Sequence, residues 1–242
     1  MYAIILAGGF GTRLRSALAH VPKPMAPIQD KPFLAYLLEY LKTQGIREVI
    51  LSVHYLREQI QNYFKTSYQG LAIRYAVEET PLGTGGAMAH ALKLLDTTEP
   101  IFIVNGDTFL KLNYRAMLAQ HQKTSPLMTM ALRHVDDCGR YGAVLLKDNH
   151  ITSFVHQGEQ GPGFINGGVY LIQPHLFHAL PSLGKSFFNA EDQVQPFSFE
   201  QDFLFPYSNQ LKPQAFVAED YFIDIGIPED YVRAQQEICF NS

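Results

Sequence analysis

Tryptophan is absent from the 242 residues, and cysteine occurs only twice, at Cys138 and Cys239. Cysteines so far apart, neither in a C-x-x-C pair, exclude a disulfide framework and a zinc knuckle and point to a reducing cytoplasm. No run approaches the ~20 apolar residues that span a bilayer. The opening Met1-Tyr2-Ala3-Ile4-Ile5-Leu6-Ala7 lacks a basic n-region and is too short for a secretory h-region. A membrane partner and an exported scaffold are therefore not expected. A basic surplus is also missing: 19 Lys and Arg stand against 23 Asp and Glu, a net charge of −4. Such a balance calls for no nucleic-acid partner, although net charge leaves a local site for a small anion open. Internal repeats and low-complexity linkers are absent as well.

What is present is globular. Hydrophobic residues make up 47% of the chain, enough to bury a core against the ordering entropy. At about 150 residues per domain the length fits one large α/β domain or two small ones. Short apolar runs alternate with helical periods through the first half. Residues 2–7, 48–53, 71–76, 101–104 and 127–132 read as strands, and a helix around Phe33, Leu37, Tyr40 and Leu41 ends at Gly45. Further helices are expected at 55–64, 84–95 and 113–122. This alternation implies a parallel sheet covered on both faces. After about residue 135 the pattern changes. Residues 141–146 and 151–155 read as a hairpin around Lys147-Asp148-Asn149, 167–172 as a strand, and 228–237 as a closing helix with Pro228 early in it.

The first strand runs into Gly8-Gly9-Phe10-Gly11-Thr12-Arg13-Leu14. Glycines at the carboxyl end of a strand let backbone N–H groups approach phosphate oxygens. Neither of two familiar loops fits: G-x-G-x-x-G would need glycine where Leu14 stands, and no Gly-Lys-Ser/Thr closes a Walker A loop. Three glycines alone would equally make a tight turn without a ligand. Arg13 and the lysine of Pro22-Lys23-Pro24-Met25 add two cations that together could neutralise a triphosphate, with the prolines holding Lys23 in an extended segment. Taken alone, Lys23 would be a solvated loop lysine.

Three further segments carry chemistry-bearing residues. Glu78-Glu79-Thr80-Pro81-Leu82-Gly83-Thr84-Gly85-Gly86-Ala87 precedes a helix that Thr84 could cap. Val104-Asn105-Gly106-Asp107 ends a strand with a carboxylate facing the crevice, and Asp224 lies in the turn Ile223-Asp224-Ile225-Gly226. Two carboxylates completed by phosphate oxygens and water would suit magnesium. Each aspartate by itself could as well be a turn or capping residue.

Together the glycine turn and the Pro-Lys-Pro-Met segment resemble the opening motif of the sugar-1-phosphate nucleotidyltransferases. Pro24-Met25-Ala26-Pro27-Ile28 and Lys31-Pro32-Phe33-Leu34 are similar to the branch holding heptose 1-phosphate and mannose 1-phosphate guanylyltransferases. The resemblance implies a Rossmann-like three-layer α/β fold, a mostly parallel central sheet with a mixed C-terminal part, and one domain over residues 1–242. It implies guanylyl transfer from a nucleoside triphosphate to a heptose- or mannose-type sugar 1-phosphate in cytoplasmic nucleotide-sugar biosynthesis, with Mg²⁺ as cofactor. Arg13 and Lys23 take the catalytic roles. Leu6, Ala7, Gly8, Gly9, Gly11, Thr12, Glu79, Pro81, Gly83 and Gly85 hold the nucleotide. Asn105, Gly106, Tyr141, Gly142, Asn166, Gly167 and Glu200 face the sugar, and Asp107 and Asp224 bind the metal. No role falls to Arg140.

Two departures stand out. Gly85 occupies a place where the family usually has alanine. Phe154-Val155-His156-Gln157 stands where many members carry F-x-E-K, so that the sugar phosphate loses a lysine; Lys185 or Lys212 could compensate, the substrate could differ, or catalysis could be weakened. Uridylyl or thymidylyl transfer to a hexose 1-phosphate, a weakly catalytic nucleotide-binding paralogue and a dinucleotide-dependent oxidoreductase remain the competing readings. A content of 12% aromatics without tryptophan fits a homodimer surface and ordinary core packing equally well.

Overall fold

The computed structural model of the chain describes residues 1–9, 20–155, 158, 160–179 and 187–238. Gly11, Thr12, Arg13, His156, Gln157, Lys185 and Cys239 lie outside the described residues. The first half contains β1 (Tyr2–Leu6), β2 (Pro27–Ile28), β3 (Lys31–Pro32), α1 (Phe33–Thr43), β4 (Glu48–Val53), α2 (Arg57–Phe64), β5 (Ser67–Tyr68), β6 (Leu71–Val77), α3 (Gly83–Leu92), β7 (Ile101–Asn105), β8 (Thr108–Leu110) and α4 (Tyr114–Thr124). Then follow β9 (Met128–Val135), β10 (Val144–Lys147), β11 (His150–Phe154), β12 (Gly163–Ile172), α5 (Phe205–Leu211), β13 (Gln214–Ala218), β14 (Phe222–Asp224) and α6 (Pro228–Glu237).

Ten strands form one sheet in the order β10-β11-β13-β9-β12-β7-β1-β4-β6-β5. Its centre, β7-β1-β4-β6, is parallel. The mixed part begins at β12, which runs antiparallel to both β7 and β9, while β13 is parallel to β9. Central strands read as unbroken apolar runs because both faces are covered. Along β1, Ala3 and Ile5 join one core and Ile4 the other. The first core packs α1, α2, α4 and α6 through Leu34, Leu37, Ile60, Phe64, Met117 and Ala234. The second packs α3, with a π-turn (Phe199–Leu204) and α5, through Met88, Ala91, Phe203 and Leu211.

Local chemistry explains most boundaries. Gly45, at φ 91°, lies just beyond α1 and accepts a left-handed backbone as helix-ending glycines do. Helix α2 starts later than its periodicity suggests because Leu56 is itself left-handed, at φ 51°. In the β10–β11 hairpin, Asp148 and Asn149 both have positive φ, the backbone a tight primed turn requires. The hairpin begins at Val144 rather than 141, since Gly142 sits at φ 80°. Strand β12 starts four residues before the expected 167, and its register with β9 shifts between Asn166 and Tyr170, where Gly168 is at φ 72°. Strands β8 and β14 form a separate antiparallel ribbon that pairs Thr108 with Asp224; at three residues each they are too short to show a period.

A buried polar cluster locks α4 to the sheet. His121 is fully buried, with Nδ1 2.8 Å from Thr129 Oγ1 and Nε2 3.0 Å from Gln173 Nε2. The Gln173 amide donates to Nε2, so Nδ1–H donates to the threonine hydroxyl and the ring is neutral. Burial holds its pKa down to about 4, against an ordinary 6.5. The unfolded chain then binds a proton that the folded chain refuses between those values. Stability from this group is complete above about pH 6.5 and is lost as pH falls toward 4, about 3 kcal/mol in all. Urea unfolding between pH 4 and 7.5 should show this loss in the difference between the wild-type curve and a His121→Gln curve; parallel curves would contradict a neutral buried imidazole.

Candidate functional site

A cavity of about 390 Å³ opens at the carboxyl ends of β1 and β7, where Leu6 and Asn105 reach its wall. Ligands in open α/β sheets bind at this edge. The chain after β1 is held tightly to its neighbours. Ala7, buried, donates its N–H to the Ser52 carbonyl at 2.9 Å, and Gly106 donates to the Leu6 carbonyl at 3.0 Å. A Cβ on Gly106 would lie 2.7 Å from that same oxygen, so only glycine permits the approach. Gly8 and Gly9 line the cavity, and a side chain on Gly8 would press on Glu78 Oε1 at 3.0 Å.

Lys23 also lines the cavity. It opens a single 3₁₀ turn, Lys23–Met25, after an extended Pro22, so the segment is a constrained turn rather than the extended stretch its prolines suggest. Its Nζ lies 2.5 Å from Asp107 Oδ2 and 3.6 Å from Asp224 Oδ1. The β8–β14 ribbon brings the two aspartates together, and Ile225 N–H donates to the Asp107 carbonyl at 3.0 Å. Gly226 N–H donates to Asp224 Oδ1 at 2.8 Å. A Cβ on Gly226 would sit 2.9 Å from that oxygen and 3.1 Å from Lys23 Nζ, filling the space the three groups share. Burial raises the Asp224 carboxyl above the usual range and the Asp107 charge adds to this, while Lys23 and Arg140 pull it down. Two hard carboxylates around a cation and a small cradle suit a divalent ion whose other ligands come from phosphate and water. Among the described residues no group of three or more His, Cys, Asp or Glu side chains could hold a metal.

The second glycine turn is divided in its roles. Glu79 is 80% exposed and pairs with Arg57 at 3.2 Å, outside the cavity wall. The neighbouring Glu78 is buried and lines the cavity, accepting from Ser52 Oγ at 2.9 Å and from Leu82 N–H at 3.1 Å. His54, also on the wall, has Nδ1 2.7 Å from the Glu78 carbonyl. Pro81, Gly83 and Thr84 line the cavity too. Thr84 does not cap α3; its hydroxyl accepts instead from Phe199 N–H at 2.9 Å. The N–H groups of Gly85 and Gly86 are spent on the Phe197 carbonyl, at 3.0 and 3.3 Å. A Cβ on Gly85 would lie 2.1 Å from the Phe197 ring. The glycine found where alanine was expected makes room for that ring.

Of the residues expected to face a sugar, Asn105 lines the cavity, whereas Tyr141, Gly142, Asn166, Gly167 and Glu200 do not reach its wall. Asn166 Nδ2 donates to Glu200 Oε1 at 2.7 Å and lies 2.6 Å from Tyr170 OH, while its Oδ1 accepts from Gly168 N–H at 2.9 Å. Burial raises the Glu200 carboxyl, and the Tyr170 and Asn166 bonds oppose it. Gly167 is pressed on Leu110, where a Cβ would meet Cδ2 at 2.7 Å. Tyr141 packs edge-on against Phe222. Lys212 precedes β13 at the amino-terminal end of β9, because Gln214 pairs with Thr129. It therefore stands at the opposite edge of the sheet from Asp107 and supplies no charge there. The sequence pointed to Glu79 and passed over Glu78 and His54; burial after a strand, not spacing, distinguishes them.

Residues 2–240 match the model of the nucleotidyl transferase family. Over 238 residues the chain is 44% identical to a D-glycero-alpha-D-manno-heptose 1-phosphate guanylyltransferase of Aneurinibacillus thermoaerophilus, covering 98% of each chain. A Campylobacter jejuni protein of the same description is 44% identical over 232 residues, 96% of this chain and 97% of that one. Among solved structures, HddC from Yersinia pseudotuberculosis complexed with GMP-PN is similar with a TM-score of 0.82 at 36% identity, covering 98% of this chain and 99% of that one.

The Gly85–Phe197 contact can be tested by itself. Phe197 is buried beside Phe187 and Phe177 and has little room to yield. Gly85→Ala should cost roughly 1–3 kcal/mol of stability through overpacking. Combined with Phe197→Leu, the loss should fall short of the sum of the two single losses. Strict additivity in denaturant unfolding would show that the ring does not set the residue at 85.

Proposed function

Because the chain belongs to the nucleotidyl transferase family, we propose that it transfers a guanylyl group from GTP to a heptose- or mannose-type sugar 1-phosphate in the cytoplasm. The convergence of Lys23, Asp107 and Asp224 beside the glycine turn carries this reading. The names of the relatives at 44% identity support guanine and the heptose. A phosphate oxygen of the sugar 1-phosphate attacks the α-phosphorus of GTP. The new P–O bond forms as the bond to the β-phosphate oxygen breaks, and pyrophosphate leaves with the electron pair. That nucleophile is already anionic near pH 7, so no general base is required, and catalysis rests on position and charge.

In this proposal the N–H groups of the glycine turn, with Arg13, hold the triphosphate. Lys23 offsets the charge that builds in the transition state. Asp107 and Asp224 would hold Mg²⁺, which when bound would supply positive charge against the phosphates. Glu78 reads the base. Guanine offers two adjacent donors, N1–H and N2–H₂, and the Glu78 carboxylate has only two of about four lone-pair sites taken by Ser52 and Leu82. Asn166 and Glu200, bonded to each other beyond the cavity wall, are assigned to the sugar hydroxyls on the family resemblance.

Pyrophosphate release should be measured over a panel of nucleoside triphosphates and sugar 1-phosphates. The expected pair is GTP with a heptose or mannose 1-phosphate, and a panel without turnover overturns the assignment. Lys23→Ala should lower kcat on the order of 10²-fold or more; unchanged turnover would remove Lys23 from the mechanism. Glu78→Gln swaps one acceptor for a donor and should cut the preference for GTP over ATP by roughly 10-fold or more. An unaltered preference would exclude Glu78 as the base reader.

A further inference from the structure

One guanidinium beside the aspartates takes no part in the proposed guanylyl transfer. Arg140 immediately precedes Tyr141, and its Cζ stacks 4.7 Å from the centroid of that ring. Its NH1 is gripped by Asp230 Oδ2. Asp230 is buried and is held on its other oxygen by Arg233 at 3.0 Å, so the anchor is itself fixed to α6. The NH2 edge is different. Its neighbours among the described residues are Asp224 Oδ2 and the Asp224 carbonyl, each at 3.5 Å. Both exceed the 2.7–3.2 Å of a well-formed N–H···O bond, so this edge keeps donor capacity. The side chain is 33% exposed, which leaves it open to a ligand.

We propose that Arg140 grips the phosphate of the sugar 1-phosphate with this second edge. The reading rests on the guanylyl transfer proposed above. Asp230 takes one side of the planar fork and sets its orientation, and the other side points at the carboxylate assigned to the metal. A phosphate sharing that metal comes within reach of a donor pair pre-set for it, the geometry in which arginine is most selective for phosphate. Lys212, at the far edge of the sheet, offers no competing charge. Asp230 is then a positioning residue, and α6 contributes to substrate binding without touching substrate.

The test uses the full chain and two variants, Arg140→Met and Arg140→Lys. In the Met variant Asp230 keeps Arg233 as a partner, and the Lys variant preserves the charge while losing the fork. Steady-state kinetics with GTP and D-glycero-α-D-manno-heptose 1-phosphate or α-D-mannose 1-phosphate, whichever the wild type turns over, should show KM for the sugar phosphate raised about 10- to 100-fold in Arg140→Met and about 10-fold in Arg140→Lys. Calorimetric Kd values for the sugar phosphate in the presence of Mg²⁺ should follow, while those for GTP and for Mn²⁺ stay within about twofold. An unchanged KM for the sugar phosphate in the Lys variant overturns the proposal even if the Met variant does not fold. Equal weakening of Mn²⁺ and GTP also overturns it and makes Arg140 a support for Asp224. Absence of wild-type turnover of GTP with both sugar 1-phosphates fails the guanylyl-transfer reading, and loss of sugar 1-phosphate binding on substitution still judges Arg140. A wild type that neither turns over nor binds a sugar 1-phosphate overturns both.

Discussion

Everything at the site hangs on one ammonium group. Lys23 Nζ stands between Asp107 and Asp224, side chains separated by more than a hundred residues of chain. Two carboxylates this close repel each other, and the burial of Asp224 worsens the cost of its charge. A cation between them is the simplest remedy. The fold provides it through a short ribbon that brings the aspartates together, a glycine that leaves their space empty, and a proline-bracketed turn that aims the lysine. In the proposed reaction a metal and phosphates would enter the same field, and the lysine would pass from neutralising aspartates to neutralising phosphate.

A second constraint joins the two sides of the crevice. The segment from Phe197 to Glu200 lies across the start of α3. Its backbone takes the N–H groups of Gly85 and Gly86, its Phe199 N–H goes to Thr84, and its Glu200 meets Asn166. The cavity wall and the Asn166–Glu200 cluster are thus tied by a few hydrogen bonds and one close-packed ring. Small residues at 83, 85 and 86 serve backbone packing here, and only part of that glycine turn faces the cavity.

The charge of the whole chain gives no hint of this chemistry. A net −4 coexists with a site proposed to receive phosphates, because fields at a few ångströms are set by the groups at hand. Arg140, Asp230 and Arg233 extend the same logic outward, alternating in sign from the crevice to the surface of α6.

The parallel strands were legible because burial on both faces leaves uninterrupted apolar runs, and the hairpin because Asp148 and Asn149 tolerate left-handed backbone. The glycine turn, Lys23 and both aspartates stood out in the sequence through short motifs, the glycines and aspartates beside strand ends and Lys23 between prolines. The sequence by itself determined these local features, which depend on neighbours a few positions away. Only the tertiary structure decided that Glu78 rather than Glu79 lies in the cavity, that Thr84 serves Phe199 instead of capping its own helix, and that Arg140 meets Asp230 across 90 positions. Those outcomes depend on partners distant in sequence, and spacing along a chain carries no record of which distant groups a sheet will bring within three ångströms.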